Sequence, residues 1–316
     1  MIDRVRFIIK DVDQEMIKDR LDMVEYGVDH LEAYKFRTEI RGMSFTSTAD
    51  DKLQIKGSLH KFAKGNNYER FKYSEAVEAL LELEKITGIE LSRFKLTNIE
   101  IGVNIPMSKE PMEFIKKAKY YKKYNFIPMT PYTGTSKIYG SRCKLTDYEI
   151  KLYDKMYDYI RKLKPKPKAA EKKILLAKNI LRFEVTYSNK KLKDLKLKKG
   201  VTAEKLLSPK MCQKFGKMLT SVVSEIIFYD LSLDYSKVLH RDVKSYIFVM
   251  TEGYQDYLRY LEKELGTEEC DKEIRTRNRL LRRVSPHKNG KHEEEFRERF
   301  ANQLTEVSDY TRRIKV

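Results

Sequence analysis

Residues 179–188 read NILRFEVTYS, with Leu181, Phe183 and Val185 alternating against Arg182, Glu184 and Thr186. A period of two is the signature of a strand with one buried face. Upstream, LTNIEIGVNIP at 96–106 alternates in the same way and stops at Pro106, with Glu100 held between Ile99 and Ile101. Each strand therefore carries a carboxylate on the side opposite its apolar residues. If the two strands are neighbours, Glu100 and Glu184 share one face. A third run, KLQIKGSLHKF at 52–62, places Leu53 and Ile55 on one face and closes on His60.

Working outward, SKIYGSR (136–142) and DYEIKLYDK (147–155) read as two arms of a hairpin joined around 143–146. The second arm runs into a helix near Asp154. RVRFIIKDV (4–12) reads as a first strand and QEMIKDRLDMV (14–24) as a helix, and strand-like runs follow at 34–47. An amphipathic helix is expected from Ser74, its N-cap, to Lys85. PMEFIKKAKYYKKY (111–124) reads as another, with Pro111 in its first turn. The stretch KPKPKAAEKK (164–173) is a basic, proline-broken connection. Beyond residue 200 the chain turns helix-like, and its last 30 residues are charged and weakly hydrophobic. Strands and helices interleave without a βαβ rhythm. The expected class is α+β, a largely antiparallel central sheet with flanking helices over residues 1–200, then a helix-rich region at 201–316. No glycine-rich phosphate loop follows a strand, so neither a P-loop nor a dinucleotide fold is supported.

The chain has 316 residues, 41% of them hydrophobic, enough to build real cores. Its net charge of +18 points to a polyanionic partner or to a generally lysine-rich composition. Residues 151–200 alone hold 17 Lys and Arg against five Asp and Glu, which favours a phosphate-binding surface. No run approaches the roughly 20 apolar residues of a membrane span. The opening MIDRVRFIIKDVDQ carries Asp3 and Asp11 and does not read as a secretory signal. Cys143, Cys212 and Cys270 are scattered, which suits a reducing interior and no zinc pair.

Two constellations could carry chemistry. His60, Glu100 and Glu184 together would suit Mg²⁺ or Mn²⁺, which favour oxygen ligands and accept imidazole. The competing reading has both glutamates facing solvent on a half-exposed sheet. Tyr153 and Tyr157 lie one helical turn apart, with Lys151 and Lys155 beside them. A phenol with an ordinary pKa of about 10 attacks phosphate only when a base, a cation or a metal-held substrate helps it. In a chain with 21 tyrosines, packing is the competing role.

Taken together, the segments resemble rolling-circle replication initiators, of both the plasmid Rep_trans type and the filamentous-phage type. The matching residues are Tyr139-Gly140-Ser141-Arg142, Leu152-Tyr153-Asp154-Lys155 and Arg182-Phe183-Glu184, with NIEIGVN at 98–104 like the family's acidic strand and KGSLHK at 56–61 like the strand before it. The resemblance covers roughly 50–190 and rests on the order of the segments. It implies an HUH-like nuclease domain that nicks one DNA strand at an origin. A tyrosine attacks the scissile phosphate, stays joined to the 5′ end, and leaves a 3′-OH to prime synthesis. Carried over, Tyr153 is the nucleophile, with Tyr157 a second or rival one and Lys155 beside them. Glu100, Glu184 and His60 would hold Mg²⁺ or Mn²⁺. Arg142, Arg182, Lys151, Lys172 and Lys173 would meet DNA. The implied partners are single-stranded and hairpin origin DNA, a host helicase and a second copy of the chain, in the cytoplasm of a bacterial host. Two features depart from the family: Glu100 and Asn104 stand where aspartates are usual, and no H-x-H pair exists. A DNA-binding regulator or accessory protein without chemistry explains the charge equally well.

Overall fold

The computed structural model describes residues 1–28, 34–48, 51–130, 138–160, 175, 177–193, 200–229, 233–287 and 290–309. The expected α+β class is what it shows. The strands are β1 (Ile2–Ile9), β2 (Val24–Val28), β3 (Tyr34–Ile40), β4 (Met43–Thr48), β5 (Lys52–Ser58), β6 (Lys95–Pro106), β7 (Ala118–Tyr121), β8 (Tyr124–Asn125), β9 (Ile127–Met129), β10 (Gly140–Lys144), β11 (Tyr148–Asp154), β12 (Ile180–Ser188) and β13 (Ile226–Phe228). Ten of them form one sheet in the order β2-β3-β4-β5-β1-β6-β12-β11-β10-β9, with antiparallel pairing throughout. The long strands at 96–106 and 179–188 are neighbours, which meets the condition for Glu100 and Glu184 to share a face: Glu184 pairs with Gly102 and Thr186 with Glu100.

One face of this sheet is apolar. Val5, Phe7, Ile99, Ile101, Val103, Phe183 and Val185 are all buried there, in one core with the helices Tyr73–Thr87, Pro209–Ser224 and Lys291–Val307. The Phe183 ring sits 5.5 Å from Phe300 and 6.3 Å from Phe296. Each such side chain contributes about 1.5–3 kcal/mol by leaving water, so the sheet cannot turn its other, polar face inward. The core takes in residues on both sides of position 200. A second, smaller core joins Tyr120 to Tyr246, Val249, Tyr254, Leu280 and Val284.

Several local expectations shift. The helix expected to begin at Ser74 begins at Tyr73, and the Glu75 carboxylate accepts from the Lys72 backbone N–H at 2.6 Å. The first helix stops at Arg20, and Val24–Val28 is a strand. The helix expected over 111–124 ends at Ile115; its remainder is the hairpin of β7 and β8. The reason is tertiary. Adjacent strand residues point to opposite faces, so Tyr121 enters the large core while Tyr120 enters the small one. A helix would place them only about 100° apart.

Candidate metal and tyrosine site

The polar face of the sheet is deepest where β1, β6, β12 and β11 meet. Glu100 and Glu184 project there by strand alternation. Asp3 joins them because β1 carries a bulge: Ile2 pairs with Ile101 but Arg4 with Glu100, which leaves Asp3 as the extra residue. Carboxylate oxygens of Asp3, Glu100 and Glu184 lie within 4.8 Å of one another, a group that could hold a metal ion. Three hard oxygen donors suit Mg²⁺ or Mn²⁺.

Two glycines let the neighbouring strands close up beside the site. A Cβ on Gly102 would come within 2.2 Å of the Phe183 carbonyl oxygen, and one on Gly140 within 2.5 Å of Tyr153 Cβ. Both stand directly across from site residues. The cleft, about 670 Å³, is lined by the three acids, Lys151, Tyr139, Tyr153 and Asp158, and it reaches as far as Ser44 and Glu39.

Cations already sit among the acids. Lys151 Nζ lies 3.1 Å from Glu184 Oε1 and 3.3 Å from Glu100 Oε2. Arg182 donates to Asp3 at 2.9 Å and to Glu184 at 3.2 Å. Burial opposes the Asp3 charge, yet Arg182, Lys155 and the Ser58 hydroxyl hold its pKa down to about 2. Glu100 goes the other way. Burial and then the neighbouring Glu184 push it up to about 7. Glu184 is held below its ordinary value despite burial, by Lys151 and Arg182.

Tyr153 is buried at the end of β11, and its hydroxyl donates to Glu184 Oε2 at 3.0 Å. Burial and then the Glu184 charge raise its pKa well above the ordinary tyrosine value. The Lys155 ammonium lies 5.5 Å from the Tyr153 ring centre and has no hydrogen-bond partner among the described residues. Burial and then Arg182 bring its pKa down to about 8.

The structure thus gathers Glu100, Glu184, Tyr153, Lys151, Lys155 and Arg182. It does not gather all the expected residues. His60 falls in the first turn of the helix Leu59–Lys64, stacked 4.5 Å from Phe71, and faces a void of about 20 Å³ shared with Asp3, Asn104 and Arg182. Burial lowers its pKa to about 3, so it is neutral at physiological pH. Tyr157 is half-buried on the helix Lys155–Ile160, its backbone N–H donating to Asp154, and it does not line the cleft. Arg142 is exposed, opposite Lys151 in the hairpin register. Lys172 and Lys173 lie outside the described residues. Asp3 was missed, and its signal was a break in rhythm: two polar residues, Asp3 and Arg4, precede the strict alternation of Val5, Phe7 and Ile9.

Fold and cleft together define an α+β protein with a carboxylate centre and a buried tyrosine set into the polar face of an antiparallel sheet. Residues 1–205 match the Phage_CRI family, described as the N-terminal part of a replication-associated protein, and the chain belongs to that family. It is a family of rolling-circle replication initiators of the filamentous-phage kind. No curated protein matches the chain. No helix among the described residues is long and apolar enough to cross a membrane.

Proposed function

We propose that this initiator nicks one strand of its origin through Tyr153 and becomes joined to the new 5′ end. The observation that carries the reading is the hydrogen bond from the Tyr153 hydroxyl to Glu184, a member of the carboxylate group. In this reading Glu184 takes the phenol proton as the tyrosine oxygen attacks phosphorus. The P–O3′ bond breaks, and the departing oxygen takes up a proton to become the 3′-OH that primes synthesis. The Lys155 ammonium stands over the ring where negative charge would develop on the phenol. Asp3, Glu100 and Glu184 would hold Mg²⁺ or Mn²⁺, with Asp3 in the place expected of His60. Such an ion would polarise the phosphate. Lys151, which bridges Glu100 and Glu184, would give up those carboxylates to a bound ion and turn its ammonium to a phosphate oxygen. Single-stranded or hairpin origin DNA is the substrate, and the host cytoplasm is the setting this role implies.

The test is mass spectrometry after incubation with origin oligonucleotide and Mn²⁺. Wild type acquires a nucleotide adduct on Tyr153, and Tyr153→Phe binds the DNA without acquiring one. An adduct that persists in Tyr153→Phe and vanishes in Tyr157→Phe would move the nucleophile to Tyr157.

One observation favours the second reading, a DNA-binding regulator without chemistry. Lys151 and Arg182 between them already form ion pairs with all three carboxylates. Cleavage of single-stranded DNA that disappears with EDTA decides against it.

A further inference from the structure

The sheet does not end at the cleft. Past β1 it runs on through β5, β4, β3 and β2, and the polar face continues with it. Phe36 and Ile40 pack against the large core, so Arg37 and Glu39 project from the opposite face. The register then lines up Glu39, Ser44, Lys56 and Arg6 across four strands. Arg4, Arg6, Arg37 and Lys56 are all exposed on this face. Arg6 is steadied by Gln54 at 2.9 Å. The acid among them is Glu39. Acids dominate the cleft and cations dominate the approach to it.

At the far edge β2 carries a bulge of its own. Glu25 pairs with Phe36 and Gly27 with Lys35, which leaves Tyr26 as the extra residue. Tyr26 remains 42% exposed, and the Arg37 guanidinium lies over its ring at 5.1 Å. An aromatic ring backed by arginine at the end of a cationic groove matches the chemistry of a base-stacking platform.

We propose that the polar face of β1 to β5 is a track for single-stranded DNA leaving the cleft, with Tyr26 and Arg37 as a stacking platform at its end. This rests on the reading of the protein as a nicking initiator and specifies where its substrate strand runs. The occupant follows from charge complementarity and from continuity, since the cleft wall already includes Arg4, Lys56, Ser44 and Glu39. Four strand spacings of about 4.8 Å place β2 roughly 20 Å from β1. At a stacked rise of about 3.4 Å, that is a span of about six nucleotides.

The experiment is fluorescence anisotropy with labelled dT4 and dT16, on the full chain. Wild type binds dT16 more tightly than dT4. Tyr26→Ala weakens dT16 by about tenfold and leaves dT4 unchanged, and Tyr26→Phe restores binding. Arg37→Ala weakens dT16 and reduces the slope of log affinity against log salt by about one. Thermal unfolding of each variant confirms that the edge hairpin is intact. Tyr26→Ala binding dT16 as wild type does, while wild type still nicks origin DNA, overturns the track and leaves the nicking reading standing. Wild type that neither binds dT16 nor nicks overturns that reading and the track together. Sedimentation in which Tyr26→Ala dissociates a dimer without changing DNA affinity assigns this edge to self-association instead.

Discussion

Among the described residues, two arginines are almost fully buried, Arg182 and Arg277, and their surroundings differ. Arg182, in the cleft, is held by Asp3, Glu184 and Asn104. Arg277, in the second core, lies 4.3 Å over the Tyr120 ring and donates to the Lys122 carbonyl and to Asn278. The first is held by ionised groups in direct contact, the second by a π face and neutral acceptors, with the Glu273 charge acting on it only as a lesser influence. A charge balanced by other charges can be rebalanced when a phosphate or a metal arrives. A charge balanced by rings and carbonyls has nothing to exchange, and it fixes geometry. The contrast separates a cleft organised around replaceable ions from a helical unit organised around one permanent one.

The sharpest way to break this contrast is Glu184→Gln. It keeps the shape but removes the acceptor charge facing Tyr153, Lys151 and Arg182. Adduct formation should fall by about 10²–10⁴-fold, the usual worth of a positioned base. A rate within threefold of wild type in a single-turnover nicking assay would mean that the proton goes elsewhere. The matching change in the other region, Arg277→Met, should act on stability alone. Losing a desolvated cation–π contact and leaving the Lys122 carbonyl unpaired costs about 2–4 kcal/mol, visible as a lower urea midpoint. Nicking per folded molecule should be unchanged. Equal loss of activity would tie the second core to the site.

How much of this was legible beforehand follows the same line. β6 and β12 were readable because one face of each is strictly apolar, and burial imposes that pattern on the sequence. Their pairing, and with it the meeting of Glu100 and Glu184, was only a condition in the sequence, since alternation marks a buried face and not a partner strand. Asp3 was hidden because a bulge is a break in a pattern, and its position depends on the partner strand. His60 could not be placed from its sequence because it stands where a strand runs out: Ser58 caps a helix, accepting from the Lys61 N–H, and the ring turns onto Phe71. The tyrosines of β7 fit a helical repeat equally well, and two cores pulling on adjacent residues decided for a strand. The Lys151 bridge between two acids was not legible at all, since it needs three strands in register.

Lys151 gives the next test. Its ammonium bridges Glu184 and Glu100, where it would compete with a divalent ion, and burial, the unfavourable factor, is outweighed by those two carboxylates, which raise its pKa. Lys151→Met removes that competitor. Mn²⁺ should bind roughly tenfold more tightly, as expected for deleting one positive charge a few ångströms away. Calorimetry with Mn²⁺ alone reads this without activity. Affinity that is unchanged or weaker would show that the lysine is not in the way.

The smallest effect is in pH, and it depends on the three acids being unlike one another. Asp3, near 2, and Glu184, held below its ordinary value, stay ionised through the neutral range. Glu100, raised to about 7, does not. A proton on Glu100 competes with the metal, so Mn²⁺ affinity should fall as pH drops below 7, with a slope approaching one proton per site, and level off above it. Stability runs the opposite way. A carboxylate whose folded pKa exceeds its unfolded one favours the folded state at low pH, and that advantage is lost as pH rises from about 4.5 to about 7. Glu100→Gln should flatten the metal profile across that window and remove the stability slope. If Mn²⁺ affinity stays level from pH 6 to 8 in wild type, Glu100 is ionised throughout, and the difference among the three acids does not govern the site.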